Sequence, residues 1–471
     1  MWLPVAGVRP RGNDILGASQ DSGRFYRLLS DVSFNILLER LTPGLRSVLG
    51  IWFSQVISLM GTGLTKFAIA VWLFQKTGSV TLFTILSVCA HLPGLLMAPL
   101  AGALVDRWDR KRVILASDSA AALSTLILAL LIANDRIEIW HVYIFISLAS
   151  LFNTFQLPAV QAAVTLLVPK DQFGRASGMF QLAQATAGTL APVLAGSLLV
   201  IFGMTTVLII DLVTFACSLV LLLRVRIPSP PISDEGRNAH GSILQEALSG
   251  WKFIRERPGL FGLLVYFAMV NLVLSQGNVL VTPLVLSFAS EAVLGTVLSA
   301  GAAGFLAGTI YLTVTGGPRP HIHGVLRGGF VVSAMMVLVG WRPSALQIGI
   351  ALFFMVFVSP IVNGSHQAIW QRKVPPDIQG RVFAVRRLLS QVTAPIGFLI
   401  AGPLADRVFE PLMAEDGALA DSVGQVIGVG PGRGIGLIFL SLAILPVLIS
   451  LWGYSQPRIR YVEDELPDAV Q

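Results

Sequence analysis

The chain has 471 residues, of which 54% are apolar and only 13% are charged, with a formal net charge of +7. Soluble domains carry about 25% charged residues, so this composition excludes a globular soluble enzyme. Intrinsic disorder is excluded too, because disordered chains combine low hydrophobicity with high net charge. The composition therefore predicts an all-α protein that crosses a lipid bilayer many times, and it makes nucleic acid an unexpected partner.

Apolar stretches of about twenty residues, long enough to cross a ~30 Å hydrocarbon core, recur along the chain after residue 46. We predict about twelve transmembrane helices. They cover residues 48–74, 79–105, 113–133, 139–167, 176–202, 205–223, 259–287, 290–315, 325–341, 344–371, 383–406 and 434–455. Residues 1–46 have no uninterrupted apolar core of the kind a signal peptide needs. They are predicted to form an N-terminal arm, either lying along the membrane surface or unstructured.

Positive charge gives the orientation of these helices. Most of the 33 lysines and arginines fall on one side of the predicted helices, and the positive-inside rule assigns that side, with both termini, to the cytoplasm. The longest polar interruption, residues 225–258, contains prolines and mixed charge and predicts a cytoplasmic linker. It separates six helices in residues 47–224 from six in residues 259–456, and a cytoplasmic tail follows at 457–471.

An internal repeat supports the division into halves. Residues 168–175 are matched by residues 374–381, and in the same register residues 195–198 are matched by residues 401–404. A fixed offset over such a distance implies duplicated halves related by an axis along the membrane normal. The repeat therefore predicts two pseudo-symmetric six-helix halves with a substrate site between them, near the bilayer midplane.

The loop after the second predicted helix carries a motif. From Gly102 to Arg112 it reads GALVDRWDRKR. This resembles the signature loop of the major facilitator superfamily, G-x-L-x-D-R-x-G-R-K-R, with Asp109 where the pattern prefers glycine. The resemblance implies a cytoplasmic gate in which an acid at a helix end holds a neighbouring helix N-terminus or an arginine; a purely topogenic basic loop is the alternative. The gate residues are Gly102, Asp106, Arg107, Arg110, Lys111 and Arg112.

The fifth predicted helix carries small residues at spacings that let helices pack closely, together with a proline that bends the helix. These residues are Gly178, Ala187, Ala191, Pro192, Ala195 and Gly196. Their spacing is similar to the antiporter motif of drug-exporting members of the same superfamily, with alanine at three glycine positions. The resemblance implies export, and tight packing alone is the alternative.

Further short stretches resemble one bacterial branch of the superfamily, the macrolide-efflux and enterobactin-exporter-like proteins. Among them are residues 61–65, 158–159 and 374–383. The resemblance covers about residues 46–455 and implies the major facilitator fold in a bacterial inner membrane. Substrates differ widely within that branch, so substrate identity does not follow from the resemblance.

A polar side chain inside the bilayer costs free energy unless it pairs with another polar group or contacts water. On four predicted helices they recur at helical spacing, which places them on one face of each helix. They are Gln55, Thr62 and Lys66 in the first helix, Asn153 and Gln156 in the fourth, Asn271, Ser275 and Asn278 in the seventh, and Asn363, His366, Gln367 and Trp370 in the tenth. The resemblance implies that these four helices surround a central cavity. We therefore expect the stripes to line a substrate path, with interhelical hydrogen bonding as the alternative.

Three ionisable residues within the predicted helices are candidates for proton coupling: Asp211, Asp118 and His366. Asp118 lies near the basic loop, and partnership with that loop is the favoured alternative for it. His366 carries the side chain that titrates closest to neutral pH, and a hydrogen-bonded core histidine is its alternative.

We therefore predict a monomeric, proton-coupled exporter of a small amphiphilic compound, such as a drug, a macrolide or a siderophore, working by alternating access. No cofactor or metal is expected, and the sequence has no G-x-x-x-x-G-K-[ST] loop for binding ATP. The alternatives are transport of lipids or lysolipids, uptake in place of export, and a membrane sensor that transports nothing.

Overall fold

The computed structural model describes residues 43–167, 173–225, 243–375 and 378–465. The first half begins with α1 (Pro43–Thr77), α2 (Val80–Arg107), α3 (Arg110–Ala133) and α4 (Ile139–Leu167). A single helical segment, Phe173–Arg224, follows and leaves helical conformation at Gly203, where φ is 77° and ψ is 176°. Glycine adopts such a positive φ without steric cost, so the chain reverses there. We call residues 173–202 α5 and residues 204–224 α6.

The second half contains six further transmembrane helices. They are α7 (Pro258–Leu286), α8 (Glu291–Thr315), α9 (His321–Trp341), α10 (Ala345–Lys373), α11 and α12 (Arg433–Ser455). Helix α11 is built from successive segments, Gln379–Gln391, Thr393–Leu404, the π-helical turn Ala405–Phe409 and Glu410–Leu412. Within the described residues, eleven helices are long and apolar enough to cross a membrane, and Gly203 divides one of them. This agrees with the predicted all-α membrane fold of about twelve helices.

The helices are longer at several ends than predicted, because polar residues continue the helix beyond its apolar part. Helix α3, for example, begins at Arg110 rather than at residue 113. The predicted linker also contains a helix that was not predicted, Ile243–Arg255. Its Gly250 packs on the second half, since a methyl group there would lie 2.7 Å from the carbonyl oxygen of Arg381 in α11.

Two seams join the halves on the side that the charge distribution assigns to the outside. In the first seam, α5 meets α8: a methyl group on Gly196 would lie 3.0 Å from Cα of Ala292, and one on Gly295 would lie 3.2 Å from Cα of Val193. Backbones this close leave no room for side chains between them. The α5–α8 seam therefore closes the outer side on one flank.

The second seam joins α2 to α11 on the opposite flank. A methyl group on Gly402 would lie 2.6 Å from Cα of Thr81, at the outer end of α2. Both seams lie at the outer ends of their helices, so the described contacts close the outer side of the space between the halves.

Candidate functional site

A large cavity lies between the halves and has a volume of about 950 Å³. Its walls come mainly from α1, α4 and α5, and the second half adds Thr282 of α7 and Leu298 of α8. Amide and hydroxyl groups alternate with apolar surface, as in pockets for drug-sized amphiphiles. Lys66 is the charged residue among the described lining residues.

The structure places the five residues predicted on α1 and α4 on this wall. They are Gln55, Thr62, Lys66, Asn153 and Gln156. The Gln55 side chain is buried, and its Nε2 has no hydrogen-bond partner among the described residues. Lys66 is exposed to the cavity. The polar stripes of the first half therefore supply donors that a bound molecule can use.

Besides Gly188, three residues of α5 with larger side chains line the same cavity and were not predicted: Phe180, Gln181 and Gln184. Their spacing puts them on one face of the helix, one to two turns before Ala187 and Ala191, which line the cavity as well. The spacing of these residues is visible in the sequence, but the prediction for this helix considered only its small residues and their packing. Two glutamines at i and i+3 beside a small-residue face could have identified this wall.

In the second half, most residues of the predicted polar stripes form contacts within that half. In α10, Trp370 Nε1 donates a 2.8 Å hydrogen bond to His366 Nε2, and the His366 ring stacks on Phe267 with 3.5 Å between centroids. His366 is 6% exposed and Trp370 is fully buried. The structure thus places both in the core of the second half, and neither is among the described lining residues of the cavity. The prediction that they line the substrate path is therefore corrected: both are core residues.

The other second-half residues are also largely occupied. Asn271 Nδ2 donates to the Ser390 carbonyl at 3.1 Å, and Asn363 Nδ2 donates to the Ser359 carbonyl at 2.9 Å. The side chain of Gln367 accepts a hydrogen bond from Arg386 of α11, a residue that was not singled out from the sequence.

Ser275 of α7 is buried against Gly397 and donates to the Leu272 carbonyl at 2.9 Å. Asn278 is exposed, and it lies one turn from Thr282 on the face of α7 that borders the cavity. Of the second-half stripe, Asn278 is therefore the residue placed to reach a bound molecule.

A second, enclosed cavity of about 50 Å³ lies between α1, α3, α4 and α6. Asp211 lines it and is 7% exposed; its Oδ2 accepts hydrogen bonds from Thr65 Oγ1 at 2.6 Å and from Thr125 Oγ1 at 3.3 Å. Asp118 and Lys66 line the same cavity. Two carboxyl groups and one ammonium group therefore share a space large enough for a few water molecules.

The two cavities share a wall. Ser58, Thr62, Lys66 and Asn153 line both. Gly61 lets α1 approach Asp211, since a side chain there would collide with the Asp211 carboxyl group and with Thr214. Any molecule held by this wall lies one layer of side chains away from Asp211.

Asp118 was expected to partner the basic loop, and the structure places its carboxylate elsewhere. Its Oδ1 accepts a hydrogen bond from Gln156 of α4. Two basic side chains of the loop bind backbone carbonyls instead: Arg110 Nη1 donates to Ala162 at 3.2 Å, and Lys111 Nζ donates to Val225 at 2.7 Å. These bonds tie the start of α3 to α4 and to the end of α6.

The gate motif is described in part. The side chains of Gly102, Asp106 and Arg107, at the end of α2, lie outside the described residues. Asp109, which departs from the family pattern, caps α3: its Oδ1 accepts a 2.8 Å hydrogen bond from the amide of Arg112. An aspartate is among the best residues for that capping role, so the departure has a structural reason.

The antiporter-like motif occupies the face of α5 that meets the cavity and α8. Ala187, Ala191 and Pro192 line the cavity, and Gly196 touches α8. Among the described residues, no atom lies within 4 Å of the position that a methyl group on Gly178 would take. Within the described residues, no group of three or more His, Cys, Asp or Glu side chains is placed to hold a metal ion.

The fold and the cavity define a multi-pass membrane transporter. The model of the Major Facilitator Superfamily matches residues 51–398, which is well over half of the chain, and the chain belongs to this superfamily of secondary transporters.

Sequence relatives include macrolide efflux protein A of Streptococcus pyogenes, 26% identical over 365 residues that cover 76% of this chain and 89% of the relative. Multidrug efflux pump Tap of Mycolicibacterium fortuitum is 24% identical over 429 residues, which cover 88% and 96%. The chain is thus homologous to macrolide and multidrug efflux pumps at low identity.

Solved structures share the fold. A bacterial homologue of the human lysosomal transporter Spinster, in an inward-facing and unoccupied conformation, has a TM-score of 0.65 at 14% identity and covers 87% of this chain and 97% of that chain. The POT family transporter PepTSo has a TM-score of 0.66 at 12% identity and covers 90% of this chain and 99% of that chain.

Proposed function

We propose that this protein exports a neutral or cationic amphiphilic compound from the cytoplasm in exchange for protons. The observation that carries the proposal is the wall shared by the two cavities. Through Ser58, Thr62, Lys66 and Asn153, the space large enough for a drug-sized molecule adjoins the enclosed space that holds Asp211 and Asp118. The names of the efflux relatives support export as the direction.

Lys66 provides the physical link between proton and substrate. Lys66 lines both cavities, so its ammonium group can point into either of them. When Asp211 is ionised, attraction between opposite charges draws the ammonium group towards the enclosed cavity. When Asp211 is protonated, that attraction is lost and the positive charge turns to the large cavity.

This link gives an exchange cycle. With Asp211 ionised and the protein open to the cytoplasm, the ammonium group of Lys66 points away from the large cavity. The cavity then accepts a neutral or cationic molecule. A proton that arrives from outside neutralises Asp211, and the Lys66 side chain then enters the large cavity, where its charge repels a bound cation and its volume displaces a bound neutral molecule. Release of the proton to the cytoplasm resets the site. The amide groups of Gln55, Gln181 and Gln184 orient the substrate.

Inverted membrane vesicles with an acidic interior test the proposal. Wild type and Asp211→Asn are compared for accumulation of dyes, macrolides and siderophores, with Asp416→Asn, an exposed acid on the outer side, as the matched control. We expect uptake by wild type and by Asp416→Asn that an uncoupler abolishes, and loss of this uptake in Asp211→Asn. Gradient-dependent uptake that persists unchanged in Asp211→Asn would contradict the proposed coupling.

The same assay discriminates against lipid transport. A lipid substrate would move between the leaflets of a proteoliposome without a proton gradient, and lysolipid flipping is therefore measured in parallel. Transport of lysolipid in place of the panel compounds would replace the proposed substrate class and leave the fold unchanged.

A further inference from the structure

A third cavity, of about 380 Å³, lies between α1, α2 and α4. We call it the side chamber. Contacts between α2 and α4 bound it at both ends. On the outer side, Tyr143 OH donates a 3.0 Å hydrogen bond to the Leu82 carbonyl. On the cytoplasmic side, a methyl group on Gly94 would lie 2.6 Å from Oγ1 of Thr154. The side chamber is therefore a defined space within the first half.

The side chamber opens towards the space between the halves. Lys66, Ala70 and Asn153 line both the side chamber and the large cavity. On the α2 wall, the ring of His91 packs against the ring of Phe398 of α11, with 5.3 Å between centroids. A molecule bound in the large cavity can therefore extend one of its parts past Lys66 and Asn153 into the side chamber.

His91 presents a hydrogen-bond acceptor to the side chamber. Its Nδ1 lies 2.8 Å from the Ser87 carbonyl oxygen. A carbonyl oxygen only accepts, so Nδ1 carries the hydrogen, and Nε2 of the neutral ring is an acceptor. The side chain of His91 is exposed and lines the chamber. Across the chamber, Thr154 Oγ1 donates to the Ser150 carbonyl at 2.9 Å, so its oxygen is an acceptor too. These walls favour a group that donates hydrogen bonds.

The mouth of the side chamber has the opposite character. The ammonium group of Lys66 and the amide of Asn153 are donors there. The positive charge of Lys66 repels a cationic group at this point, and a carboxylate has no hydrogen to give to His91 Nε2. A hydroxyl group carries no charge and both donates and accepts. Hydroxyl groups therefore suit the mouth and the walls alike.

We propose that the side chamber is a subsite for an uncharged, hydroxylated ring of the substrate, such as a sugar residue attached to an amphiphilic body in the large cavity. Its volume is at the lower end of the ~300–1,000 Å³ of ligand pockets, which suits one ring rather than a whole drug-sized molecule. Ile69, Leu86 and Ile146 supply apolar surface for the carbon atoms of the ring. The proposal rests on the proposed function in that the large cavity binds an amphiphile, and it does not depend on proton coupling.

Equilibrium dialysis against protein in lipid nanodiscs tests the proposal with two fluorescent probes. Methylumbelliferyl glucoside carries a sugar, and methoxy-methylcoumarin has the same ring system with a methoxy group in place of that sugar. We expect wild type to bind the glucoside more tightly. His91→Leu removes the acceptor, and one hydrogen bond is worth about 0.5–1.5 kcal/mol. The Kd of the glucoside should therefore rise about 2- to 10-fold, with the Kd of the methoxy compound unchanged.

Two further variants sharpen the test. Ala90→Leu enlarges a side chain of the chamber wall and should remove the preference for the glucoside while the methoxy compound still binds. If His91→Leu loses binding of both probes, as a misfolded protein would, Ala90→Leu decides. His141→Leu, a histidine at the outer end of α4 that stacks on Trp140, is the matched control and should keep the preference.

Equal affinity of wild type for the two probes, including binding of neither, would overturn the proposal. A preference for the glucoside that persists in both His91→Leu and Ala90→Leu would overturn it as well. So would unchanged Kd values in His91→Leu together with slower gradient-driven uptake in vesicles, which would make the chamber a water path for protons. Dialysis involves no proton gradient, so a failure of proton-coupled export would leave a measured preference for the glucoside standing.

Discussion

Both halves carry stripes of polar residues, and the two halves use these stripes differently. In the first half, polar side chains of α1, α4 and α5 line a cavity of about 950 Å³. In the second half, Asn271, His366 and Asn363 hydrogen-bond to carbonyls or side chains of their own half. Helical spacing therefore identifies the face of a helix that meets other helices, whereas the local partners decide whether that face can bind a ligand.

The outer seam offers the largest expected effect. Gly196→Ala forces α5 away from α8, because the added methyl group would lie 3.0 Å from Cα of Ala292. Overpacking of this kind costs about 1–3 kcal/mol and destabilises the arrangement in which the outer side is closed. We expect transport to fall about tenfold at equal expression, measured in vesicles.

Gly178→Ala is the control from the same motif, since none of the described residues has an atom within 4 Å of the added methyl group. We expect it to transport like wild type. Equal loss in both variants would mean that the motif acts as a whole rather than through its contact with α8.

Substitution of His366 in the core of the second half is expected to lower stability. His366→Phe removes the acceptor of the buried Trp370 Nε1, and a buried donor without a partner costs about 1–3 kcal/mol. We expect a lower apparent melting temperature with an unchanged KM. His366→Gln keeps an acceptor and should lose less. A raised KM without loss of stability would place His366 at the substrate after all.

The cavity wall offers the smallest effect. Gln184→Leu removes one amide from the lining of the cavity, and one hydrogen bond is worth about 0.5–1.5 kcal/mol. We expect the KM to rise about 2- to 10-fold with the melting temperature retained. Gln347→Leu is the matched control, because its amide bonds the Leu338 carbonyl within the second half. A lower melting temperature with an unchanged KM is expected for it.

Much of the fold follows from the sequence because apolar length, positive charge and the internal repeat are properties of the chain itself. Twelve helices in two halves were predictable on that ground, including the division of Phe173–Arg224 at Gly203. The helix Ile243–Arg255 was not predicted, because it forms against Arg381 of α11.

The candidate site was predictable in part. The spacing of Gln55, Thr62 and Lys66 indicated one face of α1, and that face lines the cavity. The same spacing argument predicted that Trp370 lines the cavity, whereas Trp370 is a core residue. Spacing along one helix carries no information about neighbours from other helices, such as Phe267 and Arg386. The hydrogen bond between Asp118 and Gln156 likewise depends on how α3 packs against α4. Such partners are fixed by tertiary packing.

The most direct test compares one titratable candidate from each half. Asp211→Asn and His366→Gln are reconstituted in proteoliposomes, and transport is measured with and without an imposed proton gradient. The account predicts that Asp211→Asn loses stimulation by the gradient but still exchanges substrate, whereas His366→Gln keeps the stimulation. Loss of stimulation in His366→Gln with full stimulation in Asp211→Asn would contradict it, and would move proton coupling to the second half.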